Sequence, residues 1–314
     1  MRIAISTAEA GQRLDKLVAH RVPGLGRAGA KRLFTEGRVR VAASDAEGVP
    51  ARRAAKGDVA AEGQVVVVEV DETPAGAVPD PDAPLRVVLE TERLLVLDKP
   101  AGQPTAPLQP AERGALANAL LARFPEVASC GFSAREPGLC HRLDTDTSGL
   151  LLAARDPEAW EALVSALKAG LIDKRYLLVC AADGLPESGS IDIPLAPHPK
   201  DRRRVLACIH PRDVAREKPR PASTRFRVVR ELEGGLALVE ATAPRALRHQ
   251  IRAHFAAIEH PLLGDTLYGG PEDPRIARHA LHAARISWGG DRLVPAFTVT
   301  SELPADLAAI APPV

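Results

Sequence analysis

Residues 71–84, DETPAGAVPDPDAP, place four prolines in 14 positions. Proline lacks the amide hydrogen that a ladder or a helical turn needs, and its ring locks φ. Such a stretch can neither pair inside a sheet nor continue a helix. It reads as a linker dividing the 314-residue chain into a leading part, 1–70, and a trailing part, 85–314. The length exceeds that of one ordinary domain and fits a large core-bearing unit with a smaller module. Apolar residues at 46% and charged residues at 26% supply a sizeable core and a solvated surface, which argues against disorder.

The leading part opens with the strand-like RIAIS and continues into a helix with apolar Leu14, Leu17 and Val18. A second helix is expected over 27–36, where Arg27 and Lys31 are four apart and share a face. GRVRV at 37–41 and QVVVVEV at 64–70 close the unit, with KGD at 56–58 in the loop between them. In the trailing part LRVVLE, RLLVLDK, GLLLAAR, KRYLLVC, RFRVVRE and LALVEAT read as strands. One helix starts with Asp156 as N-cap and Pro157 at its first position, buries Trp160, Leu163, Val164 and Leu167, and stops before Gly170. Another is expected after Pro244, with Leu247, Ile251, Phe255 and Ile258 at helical spacing. Strands with few helices between them predict an α+β fold with a mixed, mostly antiparallel sheet.

The formal net charge of +1 hides an uneven distribution. Residues 11–40 hold eight Lys/Arg against two Asp/Glu, and residues 200–230 hold eleven against three. Two such clusters favour a polyanionic partner. Cys130, Cys140, Cys180 and Cys208 show no C-x-x-C spacing, the N-terminus lacks the apolar stretch of a secretion signal, and no apolar run is long enough to span a membrane. A cytoplasmic protein with reduced thiols, and without a membrane partner, is expected.

The chemistry-bearing segment is HRLDTDTSGLLLAARD, 141–156, where a polar cluster runs straight into an apolar strand. On residue types alone, Asp144 could equally cap a turn, with Thr145, Thr147 and Ser148 satisfying backbone groups. The run H-R-L-D-x-D-T-S-G-L resembles the catalytic motif of the RluA-type pseudouridine synthases, in which the first aspartate is the essential residue. Lys99-Pro100-Ala101-Gly102 is similar to that family's K-P-A-G element, and KRYLLV at 174–179 to its K-x-Y element. The run from His249 to His254, then His260-Pro261, then Gly264-Asp265-Thr266-Leu267-Tyr268-Gly269 follow in the family's order. The leading part, through RLDKLVA, its basic helix and GRVRV, resembles the S-four-like RNA-binding module that many of these enzymes carry. Ala-Ala-Ser-Asp stands here where that module usually has Asn-Gly.

The resemblance implies an enzyme that isomerises uridine in RNA with base flipping and needs neither metal nor cofactor. Asp144 is then the catalytic carboxylate, either attacking covalently or removing a sugar proton. Arg252 is its cationic partner, which favours the charged form. Tyr176 offers a stacking surface for uracil or a phenol acting as a base late in the reaction. Arg142, two residues before Asp144 on an extended segment, falls on the same side and either holds the flipped-out state or contacts phosphate. Lys99, His249 and Gln250 are expected to bind substrate, with Arg202 and Arg204 on the RNA backbone. The substrate is expected to be large-subunit ribosomal RNA, with transfer RNA as the alternative, and the protein a monomer.

Three rival readings remain at this level. Asp144 and Asp146 could form a glycosidase-like pair, with α-carbons about 6.5 to 7 Å apart on a strand. A metal enzyme would use some of the nine histidines, though none is spaced as H-E-x-x-H. A non-catalytic RNA-binding protein is suggested by Ala246-Leu247-Arg248, where the family has Gly-Arg-Thr or Gly-Arg-Ser; on a helix, Arg248 would share a face with Arg245 and Arg252.

Overall fold

The computed structural model describes residues 1–22, 25–46, 48–69 and 76–312. The chain separates into two compact units, Met1–Ala75 and Gly76–Val314. In the first, β1 (Arg2–Ala4), α1 (Leu14–Arg21), α2 (Arg27–Thr35), β2 (Val39–Ala42), β3 (Arg52–Arg53) and β4 (Val65–Val68) form an antiparallel sheet in the order β1-β4-β2-β3 beside two helices. Leu14, Leu17 and Val18 on α1 join Leu33, Phe34, Val39, Val66 and Val68 in one small core, as their helical and alternating spacings require.

The expected linker is only partly one. Residues 70–75 lie outside the described residues, and 76–84 pack onto the second unit. There the Ala77 amide donates to the Ala134 carbonyl at 2.9 Å and Asp80 accepts from the Gly114 amide at 2.9 Å. Prolines keep this stretch out of regular ladders, yet side chains and turns satisfy its backbone.

The second unit contains β5 (Val87–Glu90), β6 (Leu94–Lys99), α3 (Leu116–Arg123), β7 (Ser148–Ala154), α4 (Pro157–Ala169), β8 (Asp173–Ala181) and β9 (Ser188–Ile191). It continues with β10 (Leu195–Pro197), β11 (Val205–Ala207), α5 (Pro211–Glu217), β12 (Thr224–Leu232), β13 (Leu236–Thr242), α6 (Gln250–Ala257), β14 (Leu281–Trp288), β15 (Phe297–Thr300) and α7 (Ala305–Ala308). Nine strands form a sheet in the order β5-β6-β7-β14-β8-β13-β12-β9, with β15 on β14, while β10 and β11 make a separate hairpin. Every pairing in the sheet is antiparallel except β7 with β14. At that join Gly149, at φ 109°, sits so close to β14 that a Cβ would lie 2.3 Å from the Ala283 carbonyl oxygen. Only glycine fits there.

Alternation assigns the packing faces. On β7, Leu150, Leu152 and Ala154 meet Leu163 and Leu167 of α4, while Leu151 and Ala153 meet Leu116 and Leu120 of α3. On β8, Tyr176, Leu178 and Cys180 meet Ile251 and Phe255 of α6, while Leu177 and Val179 meet Leu307 of α7. α4 has the expected ends: Asp156 accepts from the Ala159 amide at 3.0 Å, and Gly170 closes the helix at φ 75°. α6 is shorter than its spacing predicts. His249 takes a left-handed conformation, φ 54° and ψ 16°, so the helix starts at Gln250 and both Leu247 and Arg248 precede it.

Candidate active site

Asp144 stands in the irregular segment 141–147 that leads into β7, and the backbone around it is tied down from several elements. The Thr105 hydroxyl donates to the Leu143 carbonyl at 2.7 Å and accepts from the Leu143 amide at 3.2 Å. The Thr145 carbonyl accepts from Lys99 Nζ at 2.8 Å and from the Gly102 amide at 3.0 Å. Arg278 Nη1 donates to the Asp146 carbonyl at 3.0 Å, and Thr147 Oγ1 lies 2.7 Å from His279 Nε2. Burial first, and then the neighbouring cations, lower the His279 pKa to about 2, so this ring is neutral. A carboxylate on such a support has its direction set by packing rather than by solvent.

Arg252 of α6 joins two carboxylates. Its Nε and Nη2 form a fork on Asp265 at 2.7 and 2.8 Å, and its Nη1 donates to Asp144 Oδ2 at 2.9 Å. Side-chain exposure falls from 23% at Asp144 to 7% at Arg252 and 1% at Asp265. Burial opposes the guanidinium charge, but the Asp265 hydrogen bonds and charge, followed by those of Asp144, outweigh it and push its pKa upward. Asp144 Oδ1 has no hydrogen-bond partner among the described residues.

A cleft of about 830 Å³ opens over this group and is lined by Asp144, Arg142, Lys174, Tyr176, His249 and Arg252 together with residues 104–108. Tyr176 is buried; burial, and secondarily the Asp144 charge, raise its phenol above the usual value. His249 Nε2 lies 3.7 Å from Asp144 Oδ2, too far for a hydrogen bond, and burial lowers its pKa. Its Nδ1 is 3.0 Å from the Tyr268 hydroxyl, whose oxygen already accepts from the Val205 amide at 2.8 Å. That arrangement favours O–H donation to Nδ1 and a hydrogen on Nε2, facing Asp144.

The structure gives several expected site residues other places. Lys99 is 1% exposed, and its ammonium donates to the Pro100, Gln103 and Thr145 carbonyls at 2.8 Å each. With all three hydrogens used, it braces the Asp144 segment from behind and has no donor left for a substrate. Gln250 is likewise committed: its amide donates to the Ser223 carbonyl and Thr224 Oγ1, and its Oε1 accepts from the Leu247 amide. Arg142 is exposed at the cleft mouth, 3.1 Å from Glu136. Arg202 and Arg204 lie in the turn between β10 and β11, Arg202 exposed and Arg204 stacked 5.3 Å from the centre of the Tyr268 ring. Arg248, off the helix, donates to both of their carbonyls at 2.8 Å and anchors that turn. Asp146 is exposed in a turn, so the alternation behind a carboxylate pair with Asp144 does not apply.

Sequence reasoning missed Thr105, Asp265 and Tyr268. Asp265 and Tyr268 lay within a quoted motif, but nothing in that run announces that one closes on Arg252 and the other lies under it, 5.2 Å from the guanidinium carbon. Among the described residues no group of three or more His, Cys, Asp or Glu is placed to hold a metal ion, and no helix is long and apolar enough to cross a membrane.

Comparison with known proteins adds to this geometry. Residues 93–257 match the family model described as RNA pseudouridylate synthase. The ribosomal large subunit pseudouridine synthase D of Xanthomonas campestris pv. campestris is 34% identical over 266 residues, covering 85% of this chain and 74% of that protein. An RNA pseudouridine synthase of Chloroflexus aurantiacus is 33% identical over 97% of this chain and 90% of its own length. In fold, the chain is similar to human RNA pseudouridylate synthase domain containing 1, with a TM-score of 0.58 and 24% identity over 74% of this chain and 89% of that one.

Proposed function

The chain belongs to the RluA-type RNA pseudouridine synthase family, and from that premise we propose that Asp144, Arg252 and Tyr176 carry its reaction on uridines of large-subunit ribosomal RNA. The protein is an RNA isomerase, and its substrate is RNA. The observation that carries the residue assignment is the division of the Asp144 carboxylate. Arg252 holds Oδ2, while Oδ1 is unengaged among the described residues, and Asp144 and Tyr176 line the same cleft. Attack on the sugar and removal of a sugar proton both need such an oriented carboxylate oxygen.

Asp265 makes this arrangement rigid. A guanidinium gripped at two nitrogens by one carboxylate presents its remaining donor in a fixed direction, so Arg252 positions Asp144 as well as neutralising it. Tyr176 offers a flat face to a flipped uracil, a contact worth roughly 1 to 3 kcal/mol. Its raised pKa keeps the phenol protonated near neutrality, which favours stacking over the role of base. Arg142 at the mouth is exposed and suited to occupy the place the base leaves or to meet phosphate.

Ribosomal RNA is preferred over transfer RNA because several relatives, including those of Xanthomonas campestris and Yersinia pestis, are named for the large ribosomal subunit. The first unit fits the S-four-like RNA-binding role, with Arg27, Lys31 and Arg40 exposed. A cytoplasmic monomer completes the proposal. The test is to incubate the protein with unmodified ribosomal and transfer RNA and separate the nucleosides by chromatography, with Asp144→Asn alongside. Pseudouridine from ribosomal RNA alone, lost in the variant, supports the reading; free uracil would show a glycosidase instead.

A further inference from the structure

Lys174 and Tyr176 are two residues apart on β8, so their side chains leave the strand on the same face, about 6.5 to 7 Å apart. Both line the cleft. Lys174 is 8% exposed, yet its ammonium makes no hydrogen bond or ion pair with any described residue. The other buried lysine of the unit, Lys99, spends all three hydrogens on carbonyl oxygens. The Lys174 ammonium is not sealed from the cleft, and with no protein acceptor it keeps its donors available to a ligand bound there.

Resting on the reading of this cleft as a uridine site, we propose that Lys174 is a substrate contact whose Nζ donates to a negatively charged oxygen of the target nucleotide. Two oxygens have the required chemistry: a uracil carbonyl oxygen, which gains charge as the glycosidic bond breaks, and a non-bridging phosphate oxygen of the same nucleotide. Arg252 is already engaged by Asp144 and Asp265, so added negative charge in the cleft calls for a second cation. Burial lowers the Lys174 pKa to about 8, which leaves it mostly protonated at neutral pH and able to donate. His141, the titratable neighbour that senses its charge, has a pKa lowered to about 3, chiefly by burial, and adds no competing charge.

The test compares the full-length wild type with Lys174→Met and Lys174→Arg. Three quantities are measured: the single-turnover rate of pseudouridine formation on unmodified ribosomal RNA at saturating enzyme, the Kd and its salt dependence, and the thermal midpoint. A contact to uracil lowers the Lys174→Met rate by about 10²-fold with little change in Kd, and Lys174→Arg recovers part of it. A phosphate contact instead weakens Kd and lowers the slope of log affinity against log salt by about 0.7 to 0.9, with the saturated rate unchanged. In both cases the Lys174→Met midpoint stays level or rises, because the cation removed has no protein acceptor to lose. Wild-type rate and affinity in Lys174→Met, or a loss that merely follows a lowered midpoint, would overturn the proposal. If wild type forms no pseudouridine while binding RNA, the reading of the cleft fails and this inference falls with it.

Discussion

The two units handle charge in opposite ways. Among the described residues, every buried polar or charged side chain lies in the second unit, from Asp80 to His282. The first unit keeps a purely apolar core and leaves its ion pairs, such as Arg13 with Asp15 and Arg52 with Asp58, near solvent. Surface pairs add little to stability, whereas buried ones depend on complete partner sets. The first unit is therefore a small fold presenting basic residues outward, and the second holds charged groups inside at the expense of many supporting hydrogen bonds. Buried charge thus marks where the chain keeps its chemistry.

The sharpest way to break that comparison is Asp144→Asn, expected to lower pseudouridine formation by about 10³-fold or more while leaving the circular dichroism spectrum unchanged. Substantial residual turnover would move the catalytic role elsewhere. Asp265→Ala comes next. It leaves Arg252 without its fork and is expected to cost about 3 to 5 kcal/mol in denaturant unfolding, with a rate about 10²-fold lower as Asp144 loses its fixed direction. A variant with wild-type stability would show the buried pair to be dispensable.

Lys99 gives a pH signature. Burial is the main cause that lowers its pKa from 10.5 to about 7, so between those values the folded state binds fewer protons than the unfolded one. Stability from this group therefore rises with pH across that window, by at most about 1.4 kcal/mol per pH unit, and its cost is fully present below it. Unfolding of wild type should show a steeper rise over that range than Lys99→Met; parallel curves would remove Lys99 from the account. A smaller effect is expected from residues 76–314 alone, which should remain folded but bind RNA roughly 10-fold more weakly. Equal affinity would deny the first unit an RNA-binding role. Asp15→Asn in that unit should leave the unfolding midpoint unmoved.

Much of the second unit was legible because its signals are local. α4 announced itself through Asp156, Pro157 and Gly170, and the apolar runs of β7 and β8 read as strands. α6 was misjudged because apolar spacing continues smoothly through Leu247, while His249 breaks the helix with a backbone conformation that no spacing records. The Asp144–Arg252 pair was legible only through motif resemblance, since 108 residues separate the partners. Lys99 and Gln250 were misplaced because a motif identifies a residue without saying what its donors touch. Both are fully used by the fold.

By itself the sequence determined the strand-rich α+β architecture and the family to which the catalytic segment belongs. Hydrophobic period, turn residues and motif order are all written along the chain. Only the tertiary structure decided that Asp265 grips Arg252, that Asp146 sits exposed in a turn rather than on a strand, and that Lys99 is satisfied by carbonyls while Lys174 has no protein acceptor among the described residues. Those distinctions depend on which donors and acceptors meet across distant segments, and hydrogen-bond satisfaction is a property of the packed molecule that no local pattern encodes.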